Sequence, residues 1–202
     1  MKQLLVRLCS LAMVFGCGPM LAGVVISVEP PYQAVADGSA VSVSLQISGL
    51  GAFTAPSLGT FDLDLRFDPS LLDFNSFVFG DPVLGDQLDL SGGSITGMGT
   101  TPGSGVVNIY ELSLDFSVTD LDKRQEPMFT LGILEFQPLQ VGISFLFIDI
   151  NALGDASGYS LPDSLSGTVR AGVISITPEP GSITLVAATL IALVLGGRRR
   201  CR

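Results

Sequence analysis

Histidine and tryptophan are both absent from the 202 residues of this chain. Without histidine the chain cannot form a Ser-His-Asp triad, use an imidazole as a general base, or build the common histidine-ligated zinc sites. Gly-x-Ser-x-Gly elbows and glycine-rich phosphate-binding loops are missing as well. The sequence therefore predicts a protein that is not an enzyme.

Paired carboxylates are the remaining route to catalysis, because a glycosidase needs two of them. Asp62 and Asp64 form such a pair, two residues apart. Residues with that spacing on a strand share a face, and we predict that this face is the solvated one. A carboxylate glycosidase is therefore the weaker alternative to a protein without catalysis.

Cysteine and basic residues are scarce, and their positions matter more than their number. The cysteines are Cys9, Cys17 and Cys201, all near the ends of the chain. Between residues 23 and 180 there are 4 basic and 19 acidic residues, which gives this span a net charge of −15. The central part is thus predicted to lack disulfides and to repel nucleic acid. Its negative charge is expected to keep an exported protein soluble, with attraction of cations or basic partners as the alternative.

The first 22 residues have the pattern of a secretory signal peptide. Lys2 and Arg7 precede and border an apolar core at residues 8–15, and small residues follow. We predict cleavage after Ala22. A second interpretation makes Cys17 a lipidation site, although the bulky Phe15 before it fits that motif poorly.

The last 26 residues combine a short polar motif, an apolar run and a basic end. Pro178, Glu179, Pro180 and Gly181 precede an apolar run at residues 183–195. As a helix this run would span about 20 Å, which is marginal against a bilayer core of about 30 Å. Three arginines follow it, Arg198, Arg199 and Arg200, and basic residues beside a membrane span stay on the cytoplasmic side.

This order of motif, apolar run and arginines resembles the PEP-CTERM sorting signal of Gram-negative bacteria. The resemblance implies that an exosortase-type processing enzyme recognises the motif, and that the protein is held transiently at the inner membrane. It also associates the protein with exopolysaccharide and biofilm production. The alternative is an ordinary C-terminal anchor that contains Pro-Glu-Pro by chance.

Between the two ends, strand signals dominate. Apolar and polar residues alternate at residues 41–47, 61–67, 112–118 and 141–147, and turn-forming Gly, Pro, Asp and Ser residues separate these runs. Further strands are expected at residues 24–28, 106–109, 129–136 and 169–176. Residues 80–105 are predicted to be a long loop or a weak hairpin, and no internal segment has helical periodicity. The phenylalanines at alternating positions are expected in the core.

One block in this region has a recognisable pattern. The alternating run at residues 59–67 ends in Asp68-Pro69-Ser70, and Leu71, Leu72 and Phe74 follow. This block is similar to the early strand of cohesin-type domains, and Gly154-Asp155-Ala156-Ser157-Gly158 looks like their closing loop. The resemblance implies an all-β, antiparallel sandwich or jelly roll of nine strands, and cohesins bind dockerin modules through one sheet face. A generic sandwich is the alternative.

A weak calcium site is also predicted from the sequence. Asp149, Asn151 and Asp155 place three oxygen-bearing side chains near Gly154. Calcium takes six to eight oxygen ligands, often from such a loop. Leu153 occupies a position where a further ligand would be expected, so a solvated turn is the alternative.

The sequence thus predicts three parts: a signal peptide at residues 1–22, a cohesin-like β-sandwich domain at 23–176, and a sorting tail with a transmembrane helix at 177–202. We expect an exported protein, anchored at first through its tail and then released to the cell envelope or the extracellular space. Its expected role is structural or adhesive. The alternative is a binding module for a protein partner or an exopolysaccharide.

Overall fold

The computed structural model describes residues 23–114, 118–161 and 168–178. The predicted leader, with Cys17, lies outside the described residues, as does the sorting tail from Glu179 to its end, with Pro180, Gly181 and the three arginines. Within the described ranges, no helix combines the length and the apolar character needed to cross a bilayer.

The described residues fold into eleven strands and one short helix. In chain order they are β1 (Val25–Glu29), β2 (Tyr32–Ala36), β3 (Val41–Ser48), β4 (Leu58–Arg66), β5 (Leu72–Phe79), β6 (Ile95–Thr100), β7 (Val106–Leu112), α1 (Val118–Arg124), β8 (Met128–Pro138), β9 (Gly142–Asp155), β10 (Thr168–Arg170) and β11 (Gly172–Thr177). The strands form a five-stranded sheet in the order β10-β1-β3-β8-β5 and a six-stranded sheet in the order β2-β11-β9-β4-β7-β6. An all-β sandwich is therefore confirmed.

The core lies between the two sheets, as the alternation of apolar residues predicts. On β3 the buried residues are Val41, Val43, Leu45 and Ile47, and on β4 they include Phe61, Leu63 and Leu65. Phe136 on β8 packs edge-on against Phe67 and Phe74, with ring centroids 5.2 and 5.8 Å apart. The buried face of each of these strands thus follows the period of two in the sequence.

The prediction of purely antiparallel sheets is wrong, because both sheets are mixed. β10 runs parallel to β1, and β11 runs parallel to β2. Each parallel pair joins the beginning of the domain to its end. The chain changes sheets at Pro30-Pro31 and again at Ala171, so each terminal segment contributes one strand to each sheet.

The strand predicted at residues 112–118 is also wrong. β7 ends at Leu112, residues 115–117 lie outside the described part, and α1 begins at Val118. The helix has only seven residues, too few for a clear helical period, so the sequence pattern does not reveal it. The hairpin alternative for residues 80–105 is confirmed in its second half, where β6 pairs with β7 without a register shift.

The inward face predicted for the phenylalanines is wrong on β9. Ser144, Leu146 and Ile148 point into the core, whereas Phe145 and Phe147 point outward. The strand continues to Asp155, and a shift of one residue would bury Asp149. The whole strand therefore sets the register, and it leaves a row of apolar side chains in solvent.

Candidate functional site

The outward side of the six-stranded sheet, called the outer face below, carries three neighbouring bands of side chains. The strands lie side by side in the order β2, β11, β9, β4, β7 and β6, and their pairing places the three bands next to one another across the sheet. An aromatic band lies on β2, β11 and β9, a polar band lies on β4 and its neighbours, and a second apolar band lies on β7 and β6. Each band has its own geometry.

The aromatic band centres on two stacked phenylalanines. Phe145 and Phe147 are 53% and 52% exposed, and their ring centroids lie 6.1 Å apart at an interplanar angle of 27°. Ile143 on the same strand and Tyr32 on β2 are exposed beside them, and Val173 on β11 lies between Phe145 and Tyr32 in the register. Exposed aromatic side chains that form a contiguous patch are typical of protein-binding surfaces.

The polar band is held in place by its own hydrogen bonds. The amide nitrogen of Asn108 donates to Asp62 and to Asp64, at 2.7 and 2.8 Å, and the amide of Asn151 donates to Asp62 at 3.1 Å. Arg66 forms an ion pair with Asp149, and the hydrogen bond and charge of this partner raise the pKa of the guanidinium. These six side chains carry one positive and three negative charges, so the band favours a partner with a positive charge.

The second apolar band contains Ile95, Tyr110 and Leu112, all of which are exposed. Tyr110 lies directly across from Gly97 in the register, and a Cβ at Gly97 would fall 2.0 Å from the ring carbon that bears the hydroxyl. The glycine thus leaves room for the tyrosine ring to lie flat over the edge strand. A flat, half-exposed ring is a surface on which a partner can stack.

Asp62 and Asp64 share the outer face as predicted, but one amide group binds both of them. A glycosidase needs one carboxyl group that donates a proton and another that acts as nucleophile or base. The arrangement in the polar band positions both carboxylates as acceptors of the same donor. It is therefore better suited to fixing a binding surface than to acid–base catalysis.

The residues of the predicted calcium site lie on a strand rather than on a loop. Asp149 is paired with Arg66, Asn151 donates to Asp62, and Asp155 accepts the backbone N–H groups of Ser157 and Tyr159 at 2.8 and 2.9 Å. The described ranges contain no group of three or more Asp, Glu, Cys or His side chains arranged to hold a metal ion. The loop assumed for this site is wrong, while calcium binding itself stays a prediction.

Sequence reasoning missed the residues that define the outer face. The alternating pattern predicts Phe145 and Phe147 in the core, and nothing in the sequence links Tyr32 or Tyr110 to an exposed face. The polar residues in the second half of β9 could have indicated that the phenylalanine side chains are exposed. Asp149 and Asn151 share the period of Phe145 and Phe147, which places the phenylalanines on the solvated side.

No protein-family model matches the sequence, and no curated protein matches it at a significant level. Solved structures do match its fold. They include a type I cohesin–dockerin complex from Clostridium thermocellum, with a TM-score of 0.59, 11% identity, and coverage of 77% of this chain and 99% of that one.

A type II cohesin domain from the cellulosome of Acetivibrio cellulolyticus gives a TM-score of 0.59 at 13% identity, covering 75% of this chain and 95% of that one. The seventh ScaB type I cohesin from Pseudobacteroides cellulosolvens gives 0.58 at 13% identity, covering 78% and 94%. At these identities the likeness shows the fold alone. The domain has a cohesin-like fold, as the sequence predicts.

Proposed function

We propose that this domain is a non-catalytic binding module that holds a protein partner on its outer face. The observation that carries the proposal is the stacked, half-exposed pair of Phe145 and Phe147 on a regular strand. Burying such rings in a partner would stabilise a complex, since aromatic side chains dominate the energetics of protein interfaces. The binding of dockerins by proteins of the same fold supports a protein as the partner.

The polar band adds specificity to this docking surface. Asp62 and Asp64 are fixed by Asn108 before any partner arrives, so little ordering is needed when the complex forms. Apolar bands lie on both sides of these acids. The matching partner presents a lysine or arginine between apolar side chains.

The test compares a pair of substitutions on the six-stranded sheet with a single substitution on the five-stranded sheet. Phe145→Ser combined with Phe147→Ser removes the stacked rings, whereas Val78→Ser removes an apolar side chain that is 60% exposed on the five-stranded sheet. The purified chain, with a photo-crosslinking residue at Ile143, is incubated with matrix proteins extracted from the host. We expect the yield of crosslinked partner to fall at least about tenfold in the double variant, because interface hot spots contribute about 2 kcal/mol or more each.

Val78→Ser should leave the crosslinked yield unchanged. Equal yields from the double variant and from the unchanged chain would overturn the proposal, as would crosslinking that is as strong from a probe at Val78. Retention on host exopolysaccharide freed of protein would instead favour the second candidate. That candidate is binding of a polysaccharide, and the flat ring of Tyr110 beside the carboxylate of Asp62 supports it.

We further propose that the module is exported and sorted by its two ends, and that it has a structural or adhesive role in the envelope or matrix. The motif at Pro178, Glu179, Pro180 and Gly181 begins directly after β11, whose last residue is exposed, as is Pro178. A processing enzyme such as an exosortase can reach a link in that position. The mass of the native protein from its host tests this, because the mature chain should begin after Ala22 and end near Pro178–Pro180.

A further inference from the structure

Glu111 is a buried acid that the proposed function does not use. It lies on β7 between Tyr110 and Leu112, which point to the outer face, so its own side chain points into the sandwich. Only 1% of the residue is exposed, and neither carboxyl oxygen receives a hydrogen bond from a described donor. A carboxylate left in that state would be strongly unfavourable.

Residues 81–94, called the covering segment below, lead from β5 to β6 and enter β6 next to Glu111, since Ile95 pairs with Leu112 and Thr96 with Glu111. Asp86 and Asp89 of this segment act on Glu111 through their charges. Both also organise the segment, since Asp86 accepts the N–H of Leu88 and Asp89 accepts the N–H of Ser94, each at 3.0 Å. The segment thus brings two further acids to an acid that is already buried.

Neighbouring elements supply no compensating charge. The strand residues paired with Glu111 are Phe61 on β4 and Thr96 on β6. From α1, Arg124 donates to the carbonyl of Leu90, and no ion pair to Glu111 is found among the described residues. Three acids therefore meet at the covering segment, and a proton is the simplest means of reducing their repulsion.

The protonation of Glu111 follows from this environment. Burial, followed by the charge of Asp86, raises the pKa of Glu111 to about 8, and Asp89 adds a smaller effect. The Ser94 hydroxyl works in the opposite direction and lowers the pKa. At neutral pH the side chain is a neutral acid, so the closed segment does not have to hold an ionised carboxyl group beside Asp86 and Asp89.

We propose that Glu111 and the covering segment form a proton-operated latch, in which the neutral carboxyl group holds residues 81–94 against β7 and its ionisation releases them at alkaline pH. Binding of a partner is not required for this movement. Within the segment, the side chain of the buried Gln87 also accepts the N–H of Glu126 at 3.2 Å, so opening breaks this hydrogen bond as well. The proposed movement is confined to the covering segment.

Linkage fixes the direction and size of the effect. When the segment is closed, Glu111 has a raised pKa of about 8, and when it is open the pKa returns towards the ordinary value of 4.5. The closed state is fully stabilised below the ordinary value and loses stability as the pH rises towards 8. The opening equilibrium should increase roughly tenfold per pH unit across this window and then level off.

Hydrogen exchange of the intact chain measures this opening without any ligand. Protection of the amides at residues 86–94, corrected for the intrinsic pH dependence of exchange, should fall about tenfold per pH unit from pH 5 to pH 8. Glu111→Gln, which mimics the neutral acid, should give protection that no longer changes with pH. Glu135→Gln, on the exposed side of β8, should keep the slope of the unchanged chain.

Asp86→Asn provides a second variant in case Glu111→Gln does not fold. Removing the charge of Asp86 should lower the pKa of Glu111, so that the opening equilibrium stops increasing at a lower pH. A flat profile in the unchanged chain, or the same slope in Glu111→Gln, would overturn the latch. An equal loss of protection in β3 and β8 would overturn it too, because the opening would then be global.

Discussion

Gln125 illustrates how a single polar side chain can fix several parts of this domain. It lies at the end of α1, is 1% exposed, and its amide joins strand β4 to the covering segment. The carbonyl oxygen accepts the N–H of Leu58 at 2.6 Å, and the amide nitrogen donates to the carbonyls of Leu58 and Gln87 at 2.9 and 3.1 Å. One side chain therefore satisfies three buried backbone groups.

Replacing Gln125 by leucine should be strongly destabilising. The substitution leaves the N–H and C=O of Leu58 and the C=O of Gln87 buried without partners, and each such group costs about 1–3 kcal/mol. We expect the free energy of unfolding, measured by urea denaturation, to fall by about 3–5 kcal/mol.

Gln137→Leu is the matched control, because the amide of Gln137 makes one exposed hydrogen bond, to the carbonyl of Gly38. Its effect should remain below about 1 kcal/mol. Similar losses in the two variants would show that the buried contacts of Gln125 contribute little.

At single residues, local chemistry was predictable and long-range partners were not. The turn at Asp68-Pro69-Ser70 forms as expected, with Asp68 accepting the N–H of Ser70 at 2.9 Å and its hydroxyl at 2.6 Å. The contacts of Gln125 and the burial of Glu111 depend on residues far away in the sequence. Glu111 in particular sits in an alternating strand, where a charged residue would be expected to face solvent.

At the scale of elements, β9 determines what the domain can bind. The strand alternates two apolar sets, and the larger of them faces solvent because it shares a face with Asp149 and Asn151 farther along the strand. A slip of one residue would bury those polar groups and expose Leu146 and Ile148. The aromatic band of the outer face is thus a consequence of the length of the strand.

The orientation of β9 can be tested by two alanine substitutions at neighbouring positions. Leu146 is fully buried, so Leu146→Ala should lower the free energy of unfolding by about 2–5 kcal/mol through lost burial and a cavity. Phe145→Ala removes a half-exposed ring and should change it by less than about 1 kcal/mol. If the denaturation curves showed a larger loss of unfolding free energy for Phe145→Ala than for Leu146→Ala, the phenylalanines would face the core.

Strands with one apolar set were predicted correctly, because only one register buries that set. The buried residues of β3, and Phe61, Leu63 and Leu65 on β4, follow directly from their sequences. β9 has two apolar sets, and α1 is a seven-residue helix whose neighbours supply its contacts. Patterns within a short window cannot resolve either case.

At the scale of the whole molecule, the two ends of the domain are paired with each other. β1 pairs with β10 in the five-stranded sheet, and β2 pairs with β11 in the six-stranded sheet. Such pairs, more than 130 residues apart along the chain, leave no local signature in the sequence. The mixed character of both sheets was therefore not predictable.

This pairing makes a specific prediction about where the domain can be cut. A chain of residues 23–178 keeps every described strand, whereas a chain of residues 23–167 lacks β10 and β11. Without β11, strand β2 loses its only neighbour in the sheet, and the side chains that pack against Ile174 and Ile176 become exposed. The longer chain should unfold in one cooperative transition in urea, and the shorter one should show no such transition.

The pair of truncations also bears on the proposed sorting tail, because processing near Pro178–Pro180 must leave a folded domain. Asp37 donates its N–H to the carbonyl of Thr177 at 2.8 Å, so the sheet is hydrogen-bonded up to the residue before Pro178. If residues 23–178 failed to fold while the full chain did, the tail would be part of the folded unit. A cut at that position would then destroy the module instead of releasing it, and the proposed processing site would have to lie elsewhere.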